Sequence, residues 1–99
     1  MIVIRNVFHL KFGKAHDGVA AMKEAIAIQK KVVPDFAPRL LTDVTGQFYT
    51  LVLEHTAPNL AAFEAAAPKL MANKEWHAVY EKFVPLVESG HRDVFSVVE

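Results

Sequence analysis

Four polar side chains in this sequence are of the types that move protons or bind oxygen atoms. His77 and Tyr80 are three residues apart, a spacing that places both on neighbouring positions of one helix. A neutral imidazole can accept a proton from a phenol or an activated carbon, and a phenol or carboxamide can donate to the oxyanion that forms. We therefore take His77 as a candidate base, with Tyr80 and Asn6 as candidate donors. His55 is the second candidate base.

Asn6 is a candidate because of its place in the first predicted strand. Alternate side chains of a strand point to opposite faces, and Asn6 shares its register with apolar residues only: Ile2, Ile4, Phe8, Leu10 and Phe12. An amide on a face that belongs to the core needs a partner. It either binds a ligand or hydrogen-bonds a buried backbone group across the sheet, and the sequence leaves both interpretations open.

The other candidate residues also allow a purely structural interpretation. Trp76 and Tyr80 share a helical stripe with Phe83, and residues at this spacing are often ordinary core residues. His77 is one position away from that stripe, so it can also be a solvent-facing histidine. His9, His16 and His91 have no mutual spacing that makes a metal site, and we expect none. We expect no cofactor.

Composition limits the remaining possibilities. The 99 residues make one domain, 1–99, and 53% apolar content is ample for a single core. Eleven Lys and Arg balance eleven Asp and Glu, so no long-range field favours nucleic acid. Without cysteine there is no disulfide framework, and no apolar run approaches the ~20 residues of a membrane span. We expect a soluble, cytoplasmic protein that binds neither nucleic acid nor membrane.

The elements that must position these residues follow from the hydrophobic periodicity. After the first strand, Asp17 is predicted to cap a helix that runs to about Val33. Gly46-Gln47 is predicted to be a two-residue hairpin turn, which pairs Thr45 with Phe48 and Arg39 with Glu54. Asn59 should cap a second helix that Pro68 bends or divides. The second helical segment starts at about Glu75 and is stopped by Gly90, and His91–Glu99 is predicted to be the last strand.

This order predicts an α+β, ferredoxin-like β-α-β-β-α-β domain, in which one face of a four-stranded antiparallel sheet carries the helices. The other face would expose Val3, Val7, Leu41, Phe48 and Val52, with Arg5, Asp43 and Glu54 near its rim. Such an apolar patch predicts a two-fold homodimer that packs sheet on sheet.

Three segments carry a resemblance to a known superfamily. N-x-x-x-L-K-x-G-K from Asn6 to Lys14, T-G-Q-F-Y from Thr45 to Tyr49 and E-W-H-A-V-Y from Glu75 to Tyr80, in this order of elements, resemble the dimeric α/β-barrel superfamily. Within it the chain is most similar to NIPSNAP-like and antibiotic-biosynthesis-monooxygenase-like proteins. The resemblance covers essentially the whole chain and specifies the fold better than the reaction.

The resemblance implies a pocket inside each protomer, between the helices and the sheet. Members include cofactor-free quinone-forming monooxygenases, haem-degrading monooxygenases, polyketide cyclases and proteins without known activity. Asn6 matches the strand-one asparagine of some monooxygenases, and His77 with Tyr80 resembles the histidine and tyrosine of the cyclases. Haem degradation would need a tryptophan and a histidine where this chain has Met71 or its neighbours and Tyr80.

Three hypotheses follow. The chain is a cofactor-independent monooxygenase or cyclase acting on a small aromatic or polyketide-like molecule, a small-molecule-binding protein without chemistry, or a structural module whose core is completely filled. The expected substrate-binding residues are Phe8, Leu10, Met22, Ile26, Leu53, His55, Phe63 and Trp76. The first hypothesis requires a pocket that reaches Asn6.

Overall fold

A computed structural model describes all 99 residues, Met1–Glu99. The predicted β-α-β-β-α-β order is confirmed, with the second helix divided in two. The strands are β1 (Ile2–Leu10), β2 (Arg39–Thr42), β3 (Thr50–Ala57) and β4 (Val87–Ser96); the helices are α1 (Ala15–Val32), α2 (Leu60–Met71) and α3 (Lys74–Phe83), with short 3₁₀ turns at Pro34–Phe36 and Val84–Leu86. None of the helices has the length and apolarity needed to cross a membrane.

The four strands form one antiparallel sheet in the order β2-β3-β1-β4. The central strand β1 therefore has a neighbour on each side, and Asn6 lies between Leu53 of β3 and Arg92 of β4. Because cross-strand partners point to the same face, these three side chains share the face that carries the helices. This places an amide and a guanidinium at the edge of the core.

The register of the β2–β3 hairpin is as predicted, but its turn is not. Arg39 pairs with Glu54, whereas the two-residue turn at Gly46-Gln47 is wrong, because the ladder stops at Thr42 and residues 43–49 form a loop. Two side-chain hydrogen bonds close the loop. The Asp43 carboxylate accepts a hydrogen bond from the Thr50 backbone N–H at 3.0 Å, and the Thr50 hydroxyl donates to the Gln47 carbonyl at 2.8 Å.

One of the helix starts differs from expectation. The helix α1 begins without a side-chain cap, and Asp17 lies inside its first turn. The predicted cap at Asn59 is confirmed, since its side chain accepts from the Ala62 N–H at 2.8 Å. Pro68 lies inside α2, and the division comes later, where Asn73 caps α3 by accepting from the Trp76 N–H at 2.9 Å.

The C-terminal strand begins earlier than the sequence suggested. Gly90 does not stop a helix but lies within β4, opposite Phe8 of β1. A Cβ at this position would lie 2.9 Å from the Val7 carbonyl oxygen, so only glycine allows the two backbones to approach this closely. Helix α3 therefore ends at Phe83, and β4 begins at Val87.

The buried residues form two separate apolar clusters rather than one. The larger cluster is Leu10, Met22, Ala25, Ile26, Leu51, Leu53, Val79 and Phe83, and the smaller is Ile4, Val33, Phe36, Ala57 and Ala66. Native interiors are normally packed without gaps. The division of the core therefore marks the place where a cavity lies.

The opposite face of the sheet carries no helix. Val3, Val7 and Val52 are only half-buried there, and Leu41 and Phe95 are exposed. Glu54 lies among them with a side chain held by two arginines, at 2.6 Å from Arg5 Nε and 2.7 Å from Arg39 Nη2. These two hydrogen-bonded guanidinium groups hold the pKa of the Glu54 carboxyl below its ordinary value.

Candidate functional site

A cavity of about 440 Å³ lies between the helices and the helix-covered face of the sheet. Its wall includes residues from both apolar clusters, among them Met22 and Leu53 from the larger and Phe36 and Ala66 from the smaller. Every strand except β2 and all three helices contribute to it. Its size is that of typical small-molecule sites, which run from about 300 to 1,000 Å³.

Eight of the residues predicted from the sequence lie in the wall of this cavity. They are Asn6, Phe8, Met22, Leu53, His55, Phe63, Trp76 and Tyr80. The structure therefore brings together two of the three candidate catalytic residues and the second candidate base. Whether any of them acts on a substrate stays a prediction.

Three predicted residues lie outside the cavity. His77 follows Trp76 by one position, so its side chain turns away by about 100° and sits half exposed, 3.2 Å from the carboxylate of Glu81. Leu10 packs against Gly18 of α1, and Ile26 is part of the larger apolar cluster. Of the two candidate bases, His55 is the one that contributes to the cavity wall.

His55 is buried, with 5% of its surface exposed, and neither ring nitrogen has a hydrogen-bond partner. The ring stacks on Phe36 with centroids 5.5 Å apart and lies 5.6 Å from Phe63. Burial, with a smaller contribution from the charge of Arg92, lowers the pKa of His55 to about 4. It is therefore neutral at physiological pH, with one nitrogen free to donate and the other free to accept.

Asn6 has a partner that the sequence did not reveal. Its side-chain oxygen accepts a hydrogen bond from Arg92 Nε at 2.6 Å, across the β1–β4 ladder. The Arg92 guanidinium also lies over the ring of Phe63, 5.1 Å from its centroid. The pair fixes a guanidinium and a carboxamide at the cavity wall.

Gln29 of α1 adds a second unpartnered polar group. It is 3% exposed, and its amide nitrogen has no hydrogen-bond partner. Buried polar groups in native proteins are almost always hydrogen-bonded, and an unmade bond costs about 1–3 kcal/mol. Gln29 and His55, the two residues with unpaired buried atoms, both contribute to the wall of one cavity.

The helical side of the cavity presents flat aromatic surfaces. Trp76 and Tyr80 stack one turn apart on α3 with centroids 4.8 Å apart and planes inclined by only 14°. Phe63 of α2 and Phe36 of the first 3₁₀ turn complete this wall. Such surfaces favour offset stacking with another planar ring system.

Several wall residues were not predicted from the sequence. They are Gln29, Phe36, Ala66, Ala67, Leu70, Met71, His91 and Arg92. Gln29 carried a detectable signal, because it continues the α1 stripe of Met22, Ile26 and Val33 as the one polar member. Arg92 carried none, since its place depends on the pairing of the first and last strands.

Comparison with known proteins relates the chain to others through its fold. No family model matches the sequence, and no curated protein matches it. Among solved structures, an uncharacterized NIPSNAP domain protein from Burkholderia xenovorans matches with a TM-score of 0.86 and 18% identity, over 99% of this chain and 95% of that one. The chain has the fold of NIPSNAP proteins.

Further matches agree. A NIPSNAP family protein from Agrobacterium tumefaciens has a TM-score of 0.87 at 19% identity, over 96% of this chain and 90% of the other. An antibiotic biosynthesis monooxygenase matches more distantly, with a TM-score of 0.77 and 13% identity over the whole of both chains. The resemblance seen in the sequence is thus confirmed, as a likeness of fold to NIPSNAP and monooxygenase-like proteins.

Proposed function

We propose that this protein binds a planar aromatic or polyketide-like molecule in the protomer cavity and catalyses proton transfer on it without a cofactor, as a monooxygenase or a cyclase. The observation that carries the proposal is His55, a buried imidazole in the cavity wall whose two nitrogens have no protein partner. The aromatic wall formed by Phe36, Phe63, Trp76 and Tyr80 supports a flat substrate.

In this proposal His55 takes the role first considered for His77. A neutral imidazole accepts a proton from a ring hydroxyl or from a carbon beside a carbonyl. Because burial disfavours the imidazolium, the proton transfers only as an oxyanion forms beside it and supplies the opposite charge. Asn6, through its free NH₂ group, and Tyr80, through its hydroxyl, are the proposed donors to that oxyanion.

The remaining wall residues position the substrate. Phe8, Met22 and Leu53 form the apolar floor on the side of the sheet and α1. The substrate anion can then close on a carbonyl of the same molecule, which is cyclisation, or react with dioxygen, which is monooxygenation. In monooxygenation one oxygen atom replaces the two hydrogens of a ring CH₂ group as a carbonyl, and the other oxygen atom leaves as water with those two hydrogens, so the substrate itself is the reductant. Both outcomes begin with the same proton transfer at His55.

The test combines binding and turnover. Trp76 is the only tryptophan and lies in the cavity wall, so its fluorescence reports occupancy directly. A panel of hydroxylated naphthalenes and anthrones is titrated by this signal, and those that bind are assayed for dioxygen uptake and product absorbance. We expect His55→Phe to bind the ring system and to lose turnover by about 10²-fold or more.

His16→Gln is the matched control, because it removes an exposed imidazole outside this cavity. It should keep both binding and turnover. Turnover of His55→Phe equal to that of the unsubstituted protein would remove His55 from the catalytic role.

A second candidate function is binding without chemistry. The observation that favours it is the pKa of His55, about 4, which makes the imidazole a weak base while it remains a good hydrogen-bond partner. Fluorescence titration that detects binding, together with no turnover for any bound compound, would select this alternative. A purely structural module would have a completely filled core, and the cavity of about 440 Å³ argues against it.

We further propose that the protein is a cytoplasmic homodimer. The open sheet face, with half-buried Val3, Val7 and Val52, supports sheet-to-sheet packing. The absence of cysteine suits a reducing compartment.

A further inference from the structure

We infer that the ligand of the cavity carries an anionic oxygen group, a carboxylate or an ionised hydroxyl, and that Arg92 binds it. This inference deepens the proposed function and rests on its cavity. It assigns to Arg92 the choice between charged and neutral ligands. The ring system of the ligand then lies inside the cavity, and its anionic end lies at the mouth.

Arg92 is positioned but not neutralised. Its Nε donates to Asn6 and its guanidinium lies over Phe63, so two contacts fix its plane. It forms no ion pair with any carboxylate, while Arg5 and Arg39 on the other sheet face share Glu54. The two terminal nitrogens of the Arg92 guanidinium therefore remain available for a planar oxygen anion, which they match in geometry.

The composition of the cavity wall supports an anion and disfavours a cation. Neither aspartate nor glutamate lines the cavity, and Arg92 is its one permanently charged residue. Gln29, whose buried amide nitrogen also lacks a protein partner, contributes to the same wall. A wall with an excess of donors leaves a neutral hydrocarbon with no way to satisfy them, whereas an oxygen anion accepts from several at once.

The positive charge also reaches into the cavity. The positive charge of Arg92 contributes to the lowered pKa of His55, so the two groups interact electrostatically. An anion held at Arg92 cancels that charge and makes it easier for His55 to accept a proton. Binding of the anionic end and the proton transfer proposed for His55 therefore support each other.

Matched probes test this inference. Naphthoate and naphthamide share one planar ring system and differ in whether the end group is an anion or a neutral amide. Both are titrated at pH 7 by the fluorescence of Trp76, first with the unsubstituted protein and then with Arg92→Gln and Arg92→Lys. A naphthol whose hydroxyl ionises above neutral pH, titrated on both sides of its own pKa, separates an ionised hydroxyl from a carboxylate.

We expect naphthoate to bind about tenfold more tightly than naphthamide, Arg92→Gln to remove the difference, and Arg92→Lys, which keeps the charge and loses the planar fork, to restore only part of it. Arg5→Gln is the control, since Arg5 also lies over a phenylalanine ring, Phe95, but on the other sheet face. It should leave the preference unchanged.

The remaining outcomes separate the two proposals. Equal binding of both probes, unchanged in Arg92→Gln, overturns the anion site and leaves the cavity as an aromatic-binding site. Binding of neither probe counts against the anion site and the proposed function together. A preference for naphthoate that survives in Arg92→Gln places the anion elsewhere and overturns the assignment to Arg92.

Discussion

At the scale of single residues, His55 is expected to make stability depend on pH. Its pKa is about 4 in the folded chain, against an ordinary value of 6.5 when the chain is unfolded, so between these values the unfolded chain binds more protons. The free energy of unfolding should therefore fall as the pH is lowered from 6.5 towards 4, by up to about 1.4 kcal/mol per pH unit. Denaturant unfolding at a series of pH values and a fixed protein concentration measures this change in the free energy of unfolding.

Two variants separate this effect from others. His55→Phe keeps an aromatic ring between Phe36 and Phe63 but cannot titrate, so its stability should change little between about pH 5 and 6.5. His16→Gln, at an exposed position, should keep the original slope. Glu54 has a lowered pKa and loses its contribution to stability only as the pH falls below about 4.5, outside this window. An unchanged slope in His55→Phe would contradict the prediction.

The candidate site was predictable wherever local pattern determines which way a side chain points. Asn6 reached the cavity because strand alternation fixes its face, and Trp76 and Tyr80 reached it because helical spacing does. His77 lies outside because one residue along a helix turns the side chain by about 100°. Arg92 could not be found this way, since the contact with Asn6 joins residues that are 86 positions apart.

At the scale of elements, the cap of α3 is expected to control the aromatic wall. The Asn73 side chain accepts a hydrogen bond from the backbone N–H of Trp76 itself, at 2.9 Å. Asn73→Ala should cost about 1 kcal/mol in the free energy of unfolding, because the first turn loses its cap. The frayed turn should also change the environment of Trp76, measured as a shift in its emission maximum.

Asn59→Ala is the matched control, because Asn59 caps α2 with the same geometry, at 2.8 Å from the N–H of Ala62. It should cost a similar free energy without shifting the emission of Trp76. A shift of equal size in both variants would mean that the two helices loosen together and that the cap of α3 does not specifically position Trp76.

The elements themselves were largely predictable, and the two errors around glycines have different causes. The pairing of Arg39 with Glu54, predicted from the Gly46-Gln47 turn and supported by the opposite charges, is correct although that turn does not form. Gly46 favoured the prediction of a tight turn, but a hydrogen bond from the Thr50 N–H to the Asp43 carboxylate closes a longer loop. Gly90 was interpreted as a helix stop, and its real cause, the close approach of two strands, is a tertiary contact that no local pattern contains.

At the scale of the whole molecule, we expect the open face of the sheet to determine the oligomeric state. Val52 lies at its centre, paired with Val7 of β1 on one side and Leu41 of β2 on the other. Glu54 already has two arginine partners, so the face contains its own counter-charges and can be covered. We expect the unsubstituted protein to sediment as a dimer and Val52→Asp to sediment as a monomer.

The physical reason is the desolvation of a new carboxylate, which a two-fold interface would bury twice without a partner, at several kcal/mol for each copy. Val44→Asp makes the same chemical change in the loop after β2, where the side chain is 96% exposed, and it should leave the dimer intact. Sedimentation velocity distinguishes the two states directly.

If Val52→Asp remains a dimer, the contact between protomers does not involve the centre of this face. If the unsubstituted protein is already a monomer, the half-buried valines of this face are stable in water. In that case the cavity, which is built from one protomer alone, should still bind the aromatic probes.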